Sequence, residues 1–124
     1  MRTIDVLVVD DHQSVRQAAR ILLGSDPNVR VVGEACDGVE ALVLAEQLQP
    51  DVILMDIAMP QMNGIEATLA IHEKWPNIRV VLITALAADT YREISQLCGA
   101  KGFLPKENMR NELLPMLYRM LQAC

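Results

Sequence analysis

The sequence is short of the features that mark several protein classes. Its three cysteines, Cys36, Cys98 and Cys124, are odd in number and far apart, with no C-x-x-C pair. No disulfide framework is expected, and small apolar thiols in a reducing cytoplasm are the simple reading. The longest apolar run, residues 80–88, has nine residues and contains Thr84, too few to span a bilayer. Asp5 interrupts the apolar residues after Arg2, so a signal peptide is not expected. No repeat, low-complexity tract or Pro/Gly/Ser-rich linker divides the chain. Basic residues are outnumbered, 11 lysines and arginines against 16 aspartates and glutamates, for a net charge of −5 and a pI near 4.9. Such a domain repels phosphate backbones, so binding of nucleic acid by this chain alone is not expected.

What the chain does have is a core. Its 124 residues are 52% hydrophobic and 22% charged, with a mean hydropathy of +0.21. This composition argues against disorder and for one domain spanning 1–124, large enough to need no staple. Apolar runs at 4–9, 29–32, 52–55 and 80–83, and a weaker one at 101–104, read as strands. The first, third and fourth are near-continuous in Val, Ile and Leu, the pattern of strands covered on both faces.

Helical spacing fills the intervals. Val15, Ala18, Ala19, Leu22 and Leu23 mark one helix. Val39, Leu42, Val43 and Leu48 mark a second, opened by Asp37 and Gly38. Ile65, Leu69 and His72 mark a third that stops before Pro76. Tyr91, Ile94, Leu97 and Cys98 mark a fourth, capped by Asp89 and ended by Gly99. Leu113, Leu114, Leu117, Met120 and Leu121 mark a fifth. Pro115 lies in that last pattern and is tolerated only near a first turn, so the helix is expected to begin close to Asn111. The alternation predicts an α/β fold, a single doubly wound (βα)5 domain with a parallel five-stranded sheet and helices on both faces.

In such a sheet, chemistry gathers beyond the carboxyl ends of the strands, where strand order reverses. There the sequence places Asp10 and Asp11 after strand 1, Asp56 after strand 3, Thr84 after strand 4 and Lys106 after strand 5. Converging carboxylates repel one another, and a hard divalent cation relieves the conflict. Mg²⁺ suits a few carboxylate oxygens and leaves positions for phosphate oxygens. A carboxylate beside it can act as a nucleophile toward phosphorus. Lys106 can pair with phosphoryl oxygens as a point charge, and Thr84 can donate to another.

These residues resemble the receiver domain of two-component response regulators over essentially the whole chain. Asp56, followed by Met59-Pro60 and Gly64, is similar to the family's phospho-acceptor segment. Val8-Val9-Asp10-Asp11-His12, with Arg16 four residues on, resembles regulators that carry a LuxR-type helix-turn-helix output domain. The run from Gly99 through Phe103, Leu104 and Pro105 to Lys106 is similar to the family's approach to its lysine. The resemblance implies a flavodoxin-like sheet of order 2-1-3-4-5. It makes Asp56 the phosphorylated residue, Asp11 a direct Mg²⁺ ligand, Asp10 the holder of a metal-bound water, and Ala58 a ligand through its backbone carbonyl. It casts Thr84 as the switch hydroxyl, Lys106 as the phosphoryl-pairing lysine and Phe103 as the switch aromatic. It implies a histidine kinase as donor, an output domain or partner protein outside this chain, dimerisation on phosphorylation, and a cytoplasmic, non-membrane protein that accepts a phosphoryl group on itself and is not otherwise an enzyme.

The chain departs from the family's commonest pattern in places. Proline precedes Lys106, at Pro105, and Glu107 follows it. Ala58 and Leu86 flank the path of an attacking water and have no side chain to orient it, which predicts a long-lived phosphoryl group. His12 reads as a solvated residue, since Mg²⁺ prefers oxygen. Arg16 and Arg20 read as a solvated helix face or a contact for an acidic kinase surface. His72 and Trp75 read as helix-end packing. Met109, Met116, Met120 and Tyr118 read as core or as an adaptable surface. Other functions fit less well. A flavodoxin-like cofactor binder needs a small polar phosphate loop where Asp10 and Asp11 stand. An aspartate-based phosphatase generally carries a cap, for which this length leaves little space. A degenerate adaptor does not need the full acidic set.

Overall fold

The computed structural model describes residues 3–85 and 88–122. Five strands, β1 (Ile4–Val9), β2 (Val29–Ala35), β3 (Val52–Asp56), β4 (Arg79–Thr84) and β5 (Gly102–Pro105), pair in parallel in the order β2-β1-β3-β4-β5. Five helices alternate with them: α1 (Gln13–Gly24), α2 (Gly38–Leu48), α3 (Gly64–Lys74), α4 (Ala88–Leu97) and α5 (Met109–Gln122). A 3₁₀ turn, Lys106–Asn108, leads into α5. Order and topology agree with the expectation from sequence.

The sheet divides the core in two. Val6, Val8, Leu54, Val81 and Ile83 face Ala19 and Leu23 of α1 and Leu113 and Leu117 of α5. Leu7, Val9, Ile53, Met55, Val80 and Leu82 face Ala41 and Ala45 of α2, Ala67 and Ile71 of α3, and Cys98 after α4. Neighbouring residues of one strand thus go to opposite layers, which is why the central strands carry no polar alternation.

Five expectations need correction. β2 extends to Ala35, beyond the apolar run at 29–32, because its pairing with β1 continues to Val9 beside Ala35 through a register shift at Val6 and Leu7. The buried stripe of α2 is Gly38, Ala41 and Ala45, while Val39 and Val43 are 50% and 49% exposed. Likewise α3 buries Ala67, Thr68 and Ile71 and exposes Leu69, and α4 turns Ser95 inward and exposes Ile94 and Leu97. These helices lie so close to the sheet that small residues fill the contact, and bulk alone misassigns the face. Finally, α5 begins at Met109, so Pro115 lies past its first turn. Pro115 and Asn111, whose carbonyl loses its usual donor, are both exposed, so water can satisfy that carbonyl.

The helix ends behave as read elsewhere. Asp37 caps α2 by accepting the Glu40 N–H at 2.8 Å. α3 ends at Lys74 before Pro76. Gly99 adopts φ +95, and its missing side chain makes room for the His72 ring. The cap expected of the Asp89 side chain, and the expectations for Leu86 and Cys124, lie outside the described residues.

Candidate functional site

Strand register brings the acids together. Val9 of β1 lies beside Met55 of β3, so Asp10 and Asp56, one residue on, stand side by side at the carboxyl rim. Thr84 of β4 lies beside Pro105 of β5, which places Lys106 just past the same rim. Asp10 is 0% and Asp56 3% exposed, and Thr84 is buried as well. Ligand atoms of Asp10, Asp11, His12 and Asp56 all lie within 4.8 Å of one another. Lys106 Nζ stands 2.8 Å from Asp10 Oδ2 and 3.5 Å from Asp56 Oδ2.

The approach of the following helix is equally constrained. Gly64 opens α3 with its N–H donated to the Ile57 carbonyl at 2.9 Å. Any side chain there would collide with the backbone carbonyl of Asp56. The glycine eight residues after the acceptor is therefore what lets α3 start against the site. Asn63 caps that helix, exchanging hydrogen bonds with Glu66.

The electrostatics are unbalanced. Burial, and then the charge of Asp10, push the Asp56 carboxyl up from 3.8 to about 6, against the opposing pull of Lys106 and of the Ala58 N–H. Burial would lower the Lys106 ammonium, but its close contact with Asp10 and the charges of Asp56 and Asp10 outweigh this and hold its pKa above the ordinary value. Asp10 Oδ2 has the charge of Lys106 beside it but no well-directed hydrogen bond. Three carboxylates, one lysine and a surplus of buried negative charge form a donor set of hard oxygens, which fits a divalent cation such as Mg²⁺.

The residues expected at the site are thus largely together. Asp10, Asp11, Asp56 and Lys106 meet at one point, and Thr84 and Ala58 lie on the same rim. Phe103, cast above as the switch aromatic, is half-buried, with the Arg92 guanidinium 5.2 Å from its ring centroid. His12 is exposed, as read, yet its Nδ1 lies 3.2 Å from Asp11 Oδ1 and 3.3 Å from Asp10 Oδ1. Arg16 is not a solvated residue. It donates from Nη1 to the Asp10 carbonyl at 2.7 Å and from Nε to Glu34 at 3.0 Å. Its distance in sequence from Glu34 hid this contact. Tyr118 donates to Asp26 at 2.6 Å, tying α5 to the loop before β2. Among the described residues every peptide bond is trans, including Leu104–Pro105.

An open parallel sheet with acids at its carboxyl rim and a lysine beyond its last strand defines a class of signalling domain. The chain belongs to the response regulator receiver domain family, which matches residues 6–118. It is 38% identical over 104 residues to the transcriptional regulatory protein DegU of Brevibacillus brevis, covering 84% of this chain and 44% of that protein. It is 41% identical over 103 residues to the response regulator GacA of Pseudomonas aeruginosa, covering 83% of this chain and 48% of that protein. The chain therefore spans less than half the length of either curated relative. Among solved structures, the signal receiver domain of the putative response regulator NarL from Mycobacterium tuberculosis superposes with a TM-score of 0.92 at 33% identity, covering 100% of both chains. Among the described residues, no helix is long and apolar enough to cross a membrane.

Proposed function

We propose that residues 1–124 act as one receiver that takes a phosphoryl group from a histidine kinase onto Asp56. The observation that carries this reading is the meeting of Asp10, Asp11 and Asp56 oxygens with the Lys106 ammonium at 2.8 Å and 3.5 Å. An Asp56 carboxylate oxygen attacks the phosphorus of a phosphohistidine. An O–P bond forms, the P–N bond breaks, and the departing imidazole takes a proton from solvent. Lys106 pairs with an oxygen of the transferred group, and Thr84 donates to another.

Asp11, Asp56 and the Ala58 carbonyl would hold Mg²⁺, with Asp10 holding one of its waters. The chemistry the ion supplies when bound is neutralisation of the clustered carboxylates and of the incoming phosphoryl oxygens. Phosphorylated Asp56 then draws Thr84 toward it. Phe103 turns inward from its half-buried place under Arg92, and the face of α4, β5 and α5 is remodelled. That face signals to an output domain or partner. A transcriptional output is supported by the name of the relative DegU, a transcriptional regulatory protein. A LuxR-type helix-turn-helix domain rests on the resemblance of residues 8–12 and Arg16, and dimerisation on phosphorylation is the accompanying expectation. Cys36 and Cys98 are free thiols, which supports a cytoplasmic setting, and the net charge of −5 supports a domain that does not itself bind nucleic acid. Ala58 and Leu86 offer no side chain to orient an attacking water, so the phosphoryl group is long-lived.

The test is intact mass after incubation with Mg²⁺ and acetyl phosphate. Wild type gains one phosphoryl group and Asp56→Asn gains none. A wild type that stays unmodified, or an Asp56→Asn protein that is modified equally, overturns the reading.

A further inference from the structure

We propose that Arg16 is a positioning residue for this site: it fixes the peptide unit joining Asp10 to Asp11 and so aims the Asp11 carboxylate at the cation. The inference rests on reading the site as a Mg²⁺ and phosphoryl centre. The Asp10 N–H is held by the Ala35 carbonyl of β2 at 3.1 Å. Its own carbonyl lies past the end of the strand and receives Arg16 Nη1 at 2.7 Å. That carbonyl belongs to the planar unit whose other end is the Asp11 nitrogen. Turning the plane would swing the Asp11 side chain away from Asp56. The Asp10 side chain is held separately, by the His12 N–H at 2.8 Å, so the bond from Arg16 governs the backbone and not that carboxylate.

Arg16 is itself held in place. Its Nε donates to Glu34 Oε1 at 3.0 Å, and Arg20 Nη1 donates to Glu34 Oε2 at 3.0 Å. Glu34 lies beside Val8 in the sheet, two residues before Asp10. The clamp is thus anchored on β2, the strand paired with the one whose end it orients. Arg16 is only 18% exposed, and Glu34 balances its charge at close range. Its part is therefore geometric and does not consist of neutralising the acids. An arginine reaches a carbonyl and a carboxylate at once from two nitrogens in a rigid fork, whereas a lysine offers a single point.

The experiment is a calorimetric Mg²⁺ titration of the intact chain, with thermal melting alongside. Arg16→Met keeps the aliphatic stem and removes the donors. It is expected to weaken Mg²⁺ binding by about 10- to 100-fold, as loss of a partner that orients metal ligands does. Phosphoryl adduct formation falls at limiting Mg²⁺ and recovers when Mg²⁺ is saturating, which a general loss of structure would not show. Arg16→Lys does not rescue binding. Arg20→Gln, which breaks only the outer bond of the clamp, binds Mg²⁺ as wild type does. A folded Arg16→Met protein with wild-type Mg²⁺ affinity overturns the inference while leaving the phosphoryl reading intact. Should Arg16→Met not fold, Glu34→Ala decides: weakened Mg²⁺ binding supports the clamp, and unchanged binding overturns it. A wild type that binds no Mg²⁺ sinks the phosphoryl reading itself, and the inference with it.

Discussion

Aspartates stand at both ends of the sheet and do opposite things there. At the amino end, Asp5 accepts two bonds of 3.1 Å from Arg30, and its N–H is donated to Asp51 Oδ2 at 2.8 Å. The Asp51 carbonyl in turn accepts the Arg79 N–H at 3.1 Å. Each acid joins neighbouring strands and is matched by donors. At the carboxyl end, Asp10 and Asp56 are buried, Asp11 lies beside them, and Lys106 is the ammonium beside them. The same side chain is a staple at one rim and a stored charge conflict at the other. On the function proposed above, stability is given up where a cation and a phosphoryl group would be received.

The contrast can be broken by substitution. Removing the acceptor has the largest effect on function: Asp56→Asn abolishes the phosphoryl adduct altogether in the mass measurement. Lys106→Met has the largest effect on stability. It leaves buried carboxylates without their ammonium and costs about 3–5 kcal/mol in denaturant unfolding without Mg²⁺. Added Mg²⁺ is expected to restore part of that loss.

Asp56→Asn works the other way on stability. An acid whose folded pKa lies above its ordinary value keeps its proton longer in the folded chain. It favours the folded state at low pH and loses that contribution as pH rises from 3.8 through about 6. Unfolding free energy measured without Mg²⁺ across that window is therefore expected to fall with pH in wild type and to fall less in Asp56→Asn. Above the window the variant is more stable by about 3 kcal/mol at most. At the amino rim the effect is smallest. Arg30→Ala breaks a pair in which Arg30 is 65% exposed, costs under about 1 kcal/mol, and leaves adduct formation unchanged. An amino-rim variant that altered the adduct as Asp56→Asn does would erase the distinction between the two ends.

Much of this was legible in the sequence. The uninterrupted Val, Ile and Leu of β1, β3 and β4 betray strands buried on both faces, and the residue after each strand then gives the site. Asp10, Asp11, Asp56, Thr84 and Lys106 all lie where that rule puts them. The inner faces of α2, α3 and α4 were not legible, because Ala41, Ala45, Ala67 and Ser95 carry little hydrophobic signal and are buried by close approach to the sheet, while Val39, Val43 and Leu97 carry more and face outward. The extension of β2 through Gly33 and Glu34 was hidden because an edge strand can continue on backbone pairing alone. The contacts that keep Arg16 out of solvent were hidden for a related reason. Helical spacing shows its neighbours on α1 but not the Glu34 carboxylate and Asp10 carbonyl that meet it across the fold.

The central claim is that the carboxyl rim holds more negative charge than the chain itself balances. Following the Asp56 carboxyl carbon by NMR through a pH titration, with and without Mg²⁺, tests this most directly. The account predicts a midpoint near 6 in the absence of the ion and a marked drop when Mg²⁺ is present. A midpoint at the ordinary 3.8, indifferent to Mg²⁺, would contradict it.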